Sequence, residues 1–206
     1  MTASKSVLLA AALTAAMPSA LPAQATVEGE VRWNARPASD AVVRLIPVEE
    51  MDFSPPSDSA VIDQSHLRFV PRVLAVRVGS VVKFLNSDPI MHNVFSPERQ
   101  GAGFDLGTYP RGESRTYAFA QPGTYVVLCH VHPEMVAWVV VVPTPYFAVT
   151  GRDGEFRIEG VPPGSYSLQT WYRRAEVGEQ LIEIGAGQDR LRVRVSRPQS
   201  GAQEEQ

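Results

Sequence analysis

The sequence predicts an all-β protein. Helical periodicity is almost absent beyond residue 25, and Val, Ile, Thr and aromatic residues alternate with polar ones in short runs. Fifteen Gly and 17 Pro among 206 residues punctuate those runs, the spacing expected of a β-sandwich or barrel. One run, Val136–Val142, is apolar throughout and predicts a central strand buried on both faces.

The first 25 residues stand apart from this pattern. Lys5 supplies a positive start, residues 7–16 are a short apolar run, and Ala23-Gln24-Ala25 is a small-residue cleavage signal. Together they predict a secretory signal peptide over residues 1–25, its apolar run being too short for a bilayer span. The expected location is the periplasm or the extracellular medium, with no membrane span in the mature chain. The chain carries 19 basic and 22 acidic residues; losing Lys5 leaves 18 against 22, a net −4. That mild acidity offers no footprint for nucleic acid.

Residues 27–33 and 41–47 predict two strands joined by a polar turn, within a first unit covering residues 26–50. Residues 51–59, with Pro55-Pro56, read as a linker. A new register begins near Ala60, with strands expected at 67–70, 73–78 and 81–85. Asn86-Ser87-Asp88-Pro89 is a strong turn signal, and His92 follows it. Residues 96–114 predict a long loop pinned by Phe104 and Leu106. Residues 115–120 and 124–128 predict a hairpin around Gln121-Pro122-Gly123. A second unit spans residues 143–197, with a hairpin turn at Asp153-Gly154 and strands at 155–158, 166–170, 181–184 and 191–195. The polar residues 198–206 predict a disordered tail.

The chemistry concentrates in Cys129-His130-Val131-His132-Pro133-Glu134-Met135, between two expected strands. Cys129 is the only cysteine, so it forms no internal disulfide, and a free thiol outside the cytoplasm is a liability unless something occupies it. A lone buried Cys is commonly a core thiol and a lone Met core filling. Here His132 stands three residues after the Cys and Met135 three beyond that, a soft donor set. A His₂Cys site with a weak axial Met is the blue-copper arrangement. The missing imidazole is assigned to His92, giving His92, Cys129, His132 and Met135 as the expected metal residues and one copper ion as the cofactor. The four histidines are too few for further copper centres, so His66 and His130 read as surface residues. Paired carboxylates, a nucleophile elbow and a phosphate loop are absent from the sequence, so no enzymatic turnover is expected.

Residues 60–142 resemble the cupredoxins, the plastocyanin- and amicyanin-like copper proteins. The likeness lies in Val81–Asn86 followed by His92-Asn93, in Gly123-Thr124-Tyr125 leading to Cys129, and in the short Cys-x₂-His-x₂-Met loop. It implies a Greek-key β-sandwich with His92, Cys129 and His132 as equatorial ligands and Met135 as axial ligand. Asn93 would tie the two ligand loops together, and electrons would pass to redox partner proteins through an exposed His132. The flanks resemble the carboxypeptidase regulatory-like (transthyretin-like) β-sandwich, in the run from Val149 to Ile158 and in Val161-Pro162-Pro163-Gly164. This implies a smaller second sandwich with the cupredoxin inserted between its second and third strands, a combination similar to secreted bacterial proteins labelled methylamine-utilisation-like. The ligand loop departs from those relatives at His130 and Pro133-Glu134, where they often carry Asn and Asp-Trp. The expected function is single-electron transfer at a type 1 copper. Copper storage or delivery without redox cycling, and a metal-free interaction module, are the alternatives.

Overall fold

The computed structural model describes residues 24–57, 59–97 and 103–197. Most of the expected signal peptide and all of the expected tail lie outside these residues. The architecture is all-β, and among the described residues no helix is long and apolar enough to cross a membrane.

The chain opens with β1 (Ala25–Trp33), the two-residue β2 (Arg36–Pro37) and β3 (Val42–Pro47). Ala25, just before the expected cleavage point, is buried and already part of β1. Then come β4 (Ser59–Gln64), β5 (Phe69–Val70), β6 (Val73–Arg77), β7 (Val81–Asn86) and β8 (His92–Ser96). They are followed by β9 (Phe104–Tyr109), β10 (Ser114–Ala118), β11 (Gly123–Leu128) and β12 (Val136–Val142). The chain continues through β13 (Phe147–Val149), β14 (Glu155–Val161), β15 (Gly164–Tyr172), β16 (Ala175–Ile184) and β17 (Arg190–Arg197).

Strands β4 to β12 form two facing sheets, ordered β10-β7-β4-β5 and β6-β12-β11-β8-β9. Their inner faces enclose one core, which includes Phe84, Val94, Phe119, Val127, Cys129 and Met135. The remaining strands form the sheets β14-β1-β17 and β13-β3-β15-β16 around a second core that includes Val27, Leu45, Ile158 and Leu168. Strand β12 serves both sides. Ala137, Val139 and Val141 face the first core, while Trp138, Val140 and Val142 meet Val42 and Trp171 in a third cluster. Because successive side chains of a strand point to opposite faces, two-sided burial removes the usual polar alternation and leaves the apolar run seen in the sequence.

Three local expectations are corrected. The expected loop at 96–114 contains β9, an edge strand paired with β8. Its polar half faces outward, so Phe104 and Leu106 carry a strand signal too dilute to stand out. The expected hairpin at 115–128 is a crossover: β10 pairs with β7 in one sheet and β11 with β12 and β8 in the other. The turn at Asp153-Gly154 joins strands of different sheets, β13 on β3 and β14 on β1. Gly154 there has φ +79, and an added Cβ would lie 2.6 Å from the Val31 carbonyl oxygen. A hairpin that the sequence reading left out, β15–β16, turns on Arg173 and Arg174 with φ 50 and 73.

Candidate metal centre

The first sandwich delivers three donors to one point. His92 opens β8, Cys129 follows β11, and His132 sits in the turn between β11 and β12. His92 Nδ1 and His132 Nδ1 are 3.0 Å apart, and Cys129 Sγ lies 3.9 and 4.0 Å from them. His92 and Cys129 are buried, whereas His132 is half-buried. Met135, buried in the same core, closes the turn by donating its backbone N–H to the His132 carbonyl at 3.0 Å. Met91 and Val131, each just before one of the histidines, are 53% and 52% exposed, leaving apolar surface beside the site.

The tautomer of His92 follows from the partner of its other nitrogen. Its Nε2–H donates to Asp88 Oδ2 at 2.9 Å, so in the neutral ring Nδ1 carries a lone pair toward Cys129 and His132. Asp88 is itself held: the backbone N–H groups of His66 and Leu67 donate to its two oxygens at 2.6 and 2.9 Å. Burial pushes the Asp88 carboxyl up, but these N–H groups and the His92 ring outweigh it and hold the carboxyl below the usual range. His66 and Leu67 occupy the left-handed region at φ 54 and 58, in the tight β4–β5 turn. Each costs on the order of 1–2 kcal/mol for an L-residue. Two charge-assisted bonds to one carboxylate offset that strain.

Behind Asp88 lies a buried polar lattice. Asn86 accepts from the Asp88 N–H at 3.0 Å and donates to the carbonyls of Ile90 and Tyr109. Gln64 donates to the Tyr109 hydroxyl at 2.7 Å, and that hydroxyl donates to the Phe84 carbonyl. The loop that brings in His92 is thus pinned at both ends.

On the Cys129 side, the Asn93 N–H points at Sγ at 3.4 Å. The Asn93 side chain accepts from the His130 N–H at 3.4 Å and donates to Asp105 Oδ1 at 2.7 Å. His130 stacks on Phe95 with ring centroids 3.6 Å apart and planes 8° from parallel, its Nε2 3.4 Å from Asp105 Oδ2. The N–H of Gly107 and the Asn93 side chain hold the Asp105 carboxyl below its ordinary range against burial.

Residues 57–142 match the copper binding proteins of the plastocyanin/azurin family. Amicyanin-alpha of Methylorubrum extorquens is 30% identical over 88 residues, 42% of this chain and 74% of the relative. The chain belongs to the plastocyanin/azurin family of copper binding proteins. Among solved structures, a reduced amicyanin variant aligns at 24% identity and TM-score 0.39, covering 48% of this chain and 99% of amicyanin. A purple cupredoxin from Nitrosopumilus maritimus aligns at 26% identity and TM-score 0.37, over 40% of this chain and 99% of its own. The copper-containing nitrite reductase of Thermus scotoductus SA-01 aligns at 26% identity and TM-score 0.41, over 48% of this chain; the match spans a quarter of the reductase.

The cofactor of this cupredoxin is one type 1 copper ion, and the donor triangle fits it. A point in the plane of the three atoms lies about 2.1 Å from each, within the roughly 2.0–2.3 Å typical of first-row metal bonds to nitrogen and sulfur. Two imidazole lone pairs 3.0 Å apart repel unless a proton or a cation lies between them. Sequence reasoning missed Asp88 and Asp105. Asp88 stood inside a turn signal whose residues look the same whether the carboxylate faces water or a ligand. His130 is the surface histidine expected, 57% exposed in its side chain, and it stacks on Phe95.

Proposed function

We propose that this protein is a mononuclear blue copper electron carrier working outside the cytoplasm, with no substrate turnover of its own. The observation that carries the reading is the closed triangle of His92, Cys129 and His132, with Asp88 behind one imidazole and the Asn93 amide on the sulfur. In this reading Met135 would be the fourth residue to hold the copper. Bound copper supplies a one-electron couple between Cu(I) and Cu(II).

The chain's own residues do the rest. Asp88 fixes the His92 tautomer and ring plane, and such carboxylate–histidine pairs raise the basicity of the ligating nitrogen. The Asn93 N–H, aimed at the Cys129 sulfur, ties that side chain to the strand that carries His92. The buried lattice behind both holds the donors in one geometry, which keeps reorganisation small as charge changes. His132, half-buried beside exposed apolar surface, is the group a redox partner protein can touch. Residues 1–25 support export. The flanking strands are read as a carboxypeptidase regulatory-like sandwich into which the cupredoxin is inserted, consistent with β1 to β3 preceding it and β13 to β17 following it.

The test is the visible spectrum of purified protein loaded with Cu(II). An intense thiolate-to-copper band that disappears in Cys129→Ser is the expected result. Absence of the band, or its survival in the variant, sinks the reading. Copper bound stoichiometrically but exchanging fast, without a reversible one-electron wave, would favour copper handling instead.

A further inference from the structure

A cleft of about 470 Å³ opens between the two sandwiches, beside the Trp138–Trp171 contact whose ring centroids are 6.5 Å apart. Its walls are indole and phenol, and it is lined by Arg72, Arg173 and Arg174 against the single carboxylate of Asp40. The guanidinium carbons of Arg72 and Arg174 each lie 5.1 Å from the Trp138 ring centroid, so they are no further apart than twice that distance. Arg173 stands 5.3 Å from the Tyr172 ring.

Among the described residues, none of these three arginines forms an ion pair. Elsewhere arginines do: Arg157, Arg190 and Arg192 converge on Glu28, and Arg44 meets Glu176. Arg173 and Arg174 also occupy the two central positions of a tight hairpin, at φ 50 and 73, where Asn-Gly would sit without strain. The turn accepts unfavourable backbone angles at the point where it delivers two cations to the cleft. Arg72 comes from the other sandwich, its carbonyl accepting the backbone N–H of Trp138 at 2.9 Å.

We propose that this cleft binds a small organic anion, a carboxylate or phosphate ester with a flat apolar body. The planar guanidinium fork matches two oxygens of either oxyanion, and the ring edges that Trp138, Trp171 and Tyr172 leave at the cleft give a flat apolar body a surface to lie on. The volume lies within the roughly 300–1,000 Å³ usual for small-molecule sites. Trp138 stands on β12 three residues beyond Met135, so an occupied cleft abuts the strand that leaves the ligand turn. The proposal does not depend on the copper reading.

Calorimetric titration of the purified protein, copper-loaded and copper-free, with phenyl phosphate, benzoate, inorganic phosphate and benzyl alcohol tests it. One equivalent of phenyl phosphate or benzoate is expected to bind, at least tenfold more tightly than inorganic phosphate, with no binding of benzyl alcohol. The tighter of the two aromatic anions identifies the oxyanion. Arg72→Gln combined with Arg174→Gln should weaken binding at least tenfold in protein that still melts cooperatively, the lost contacts with Trp138 lowering the melting temperature only slightly. Should that pair fail to fold, Arg72→Lys with Arg174→Lys keeps the charge, loses the fork and is expected to weaken binding too. No saturable heat from either aromatic anion up to about 10 mM, a range that covers millimolar affinities, overturns the proposal. So does equal binding of benzyl alcohol, undiminished binding in folded arginine variants, or retention on anionic vesicles or an acidic protein in place of the small anions.

Discussion

Among the described residues, the copper-side sandwich buries Gln64, Ser80, Asn86, Asp88, His92, Asn93 and Ser96, whereas the rest of the chain buries only Thr144, Thr150 and Thr170 as polar residues. Both halves are antiparallel-rich sandwiches with apolar cores, so this polarity is not needed to make the fold. Five of the seven, Gln64, Asn86, Asp88, His92 and Asn93, belong to the site or to the lattice behind it. A buried polar group is costly unless satisfied, a cost borne here by Gln64 Oε1, while the satisfied bonds of Asn86, Asp88 and Asn93 fix one arrangement of side chains where apolar packing tolerates several. One half is built to hold atoms at set distances, and the other to be a stable support.

That contrast can be tested from either side. Stripping copper with a chelator is expected to destabilise the copper-side half by about 4 kcal/mol if the protein had been loaded at 1,000 times its dissociation constant. Calorimetry should show the loss in one transition, and an equal fall in the flanking half would break the division. Leu45, fully buried in the flanking core, is the converse probe. Leu45→Ala should cost about 3 kcal/mol by urea denaturation, within the usual 2–5, and leave the thiolate-to-copper band unchanged. Next comes Asp88→Asn, which removes the carboxylate behind His92 and should weaken copper binding 10–100-fold in a competition assay, with a higher reduction potential. Unaltered affinity and potential would reduce Asp88 to a staple for the β4–β5 turn.

Smaller effects sharpen the picture. His130→Ala should cost about 1 kcal/mol, chiefly the lost stack on Phe95, since the exposed Asp105 contact adds little. His130→Phe should recover most of it; if the loss persists in the Phe variant, the ion pair matters more than the stack. The last effect lies in the slope at alkaline pH, apart from the constant loss of the Tyr166 hydroxyl bond to the Pro162 carbonyl. Tyr166 in the flanking core has its pKa pushed up to about 12, by burial and then by the neighbouring Tyr146. A raised phenol pKa means the folded state resists ionisation, so stability is full below the unfolded value of about 10 and falls as pH rises through 12. Tyr166→Phe should flatten that alkaline decline in denaturation curves.

Legibility in the sequence divided along the same line. The spacing of Cys129 and His132 is local, so two corners of the triangle could be read directly, and His92 followed from needing a second imidazole. The all-β class was equally visible, because alternation and the run at β12 are local consequences of burial. What escaped depends on distant partners. A strand does not report which sheet it joins, so the Pro-Gly between β10 and β11 looked like a hairpin. Asp88 became meaningful only when the β4–β5 turn folded over it, and His-Leu at the centre of that turn carries no turn signature of its own.

The pairing of β17 with β1, parallel over Thr26 to Trp33, bears on how the molecule assembles. During synthesis β1 emerges first and its partner last, while strands β4 to β12 are contiguous and find their neighbours among themselves. Once those strands close, the exits toward β3 and β13, whose residues Val42–Arg44 and Phe147–Val149 pair antiparallel, are brought side by side. A long search between distant segments becomes a short one, because folded residues no longer count as flexible loop. The copper-side half is then a scaffold for folding as well as for metal: slowing its closure should delay maturation of the flanking sheets, even where it contributes no side chain to their core.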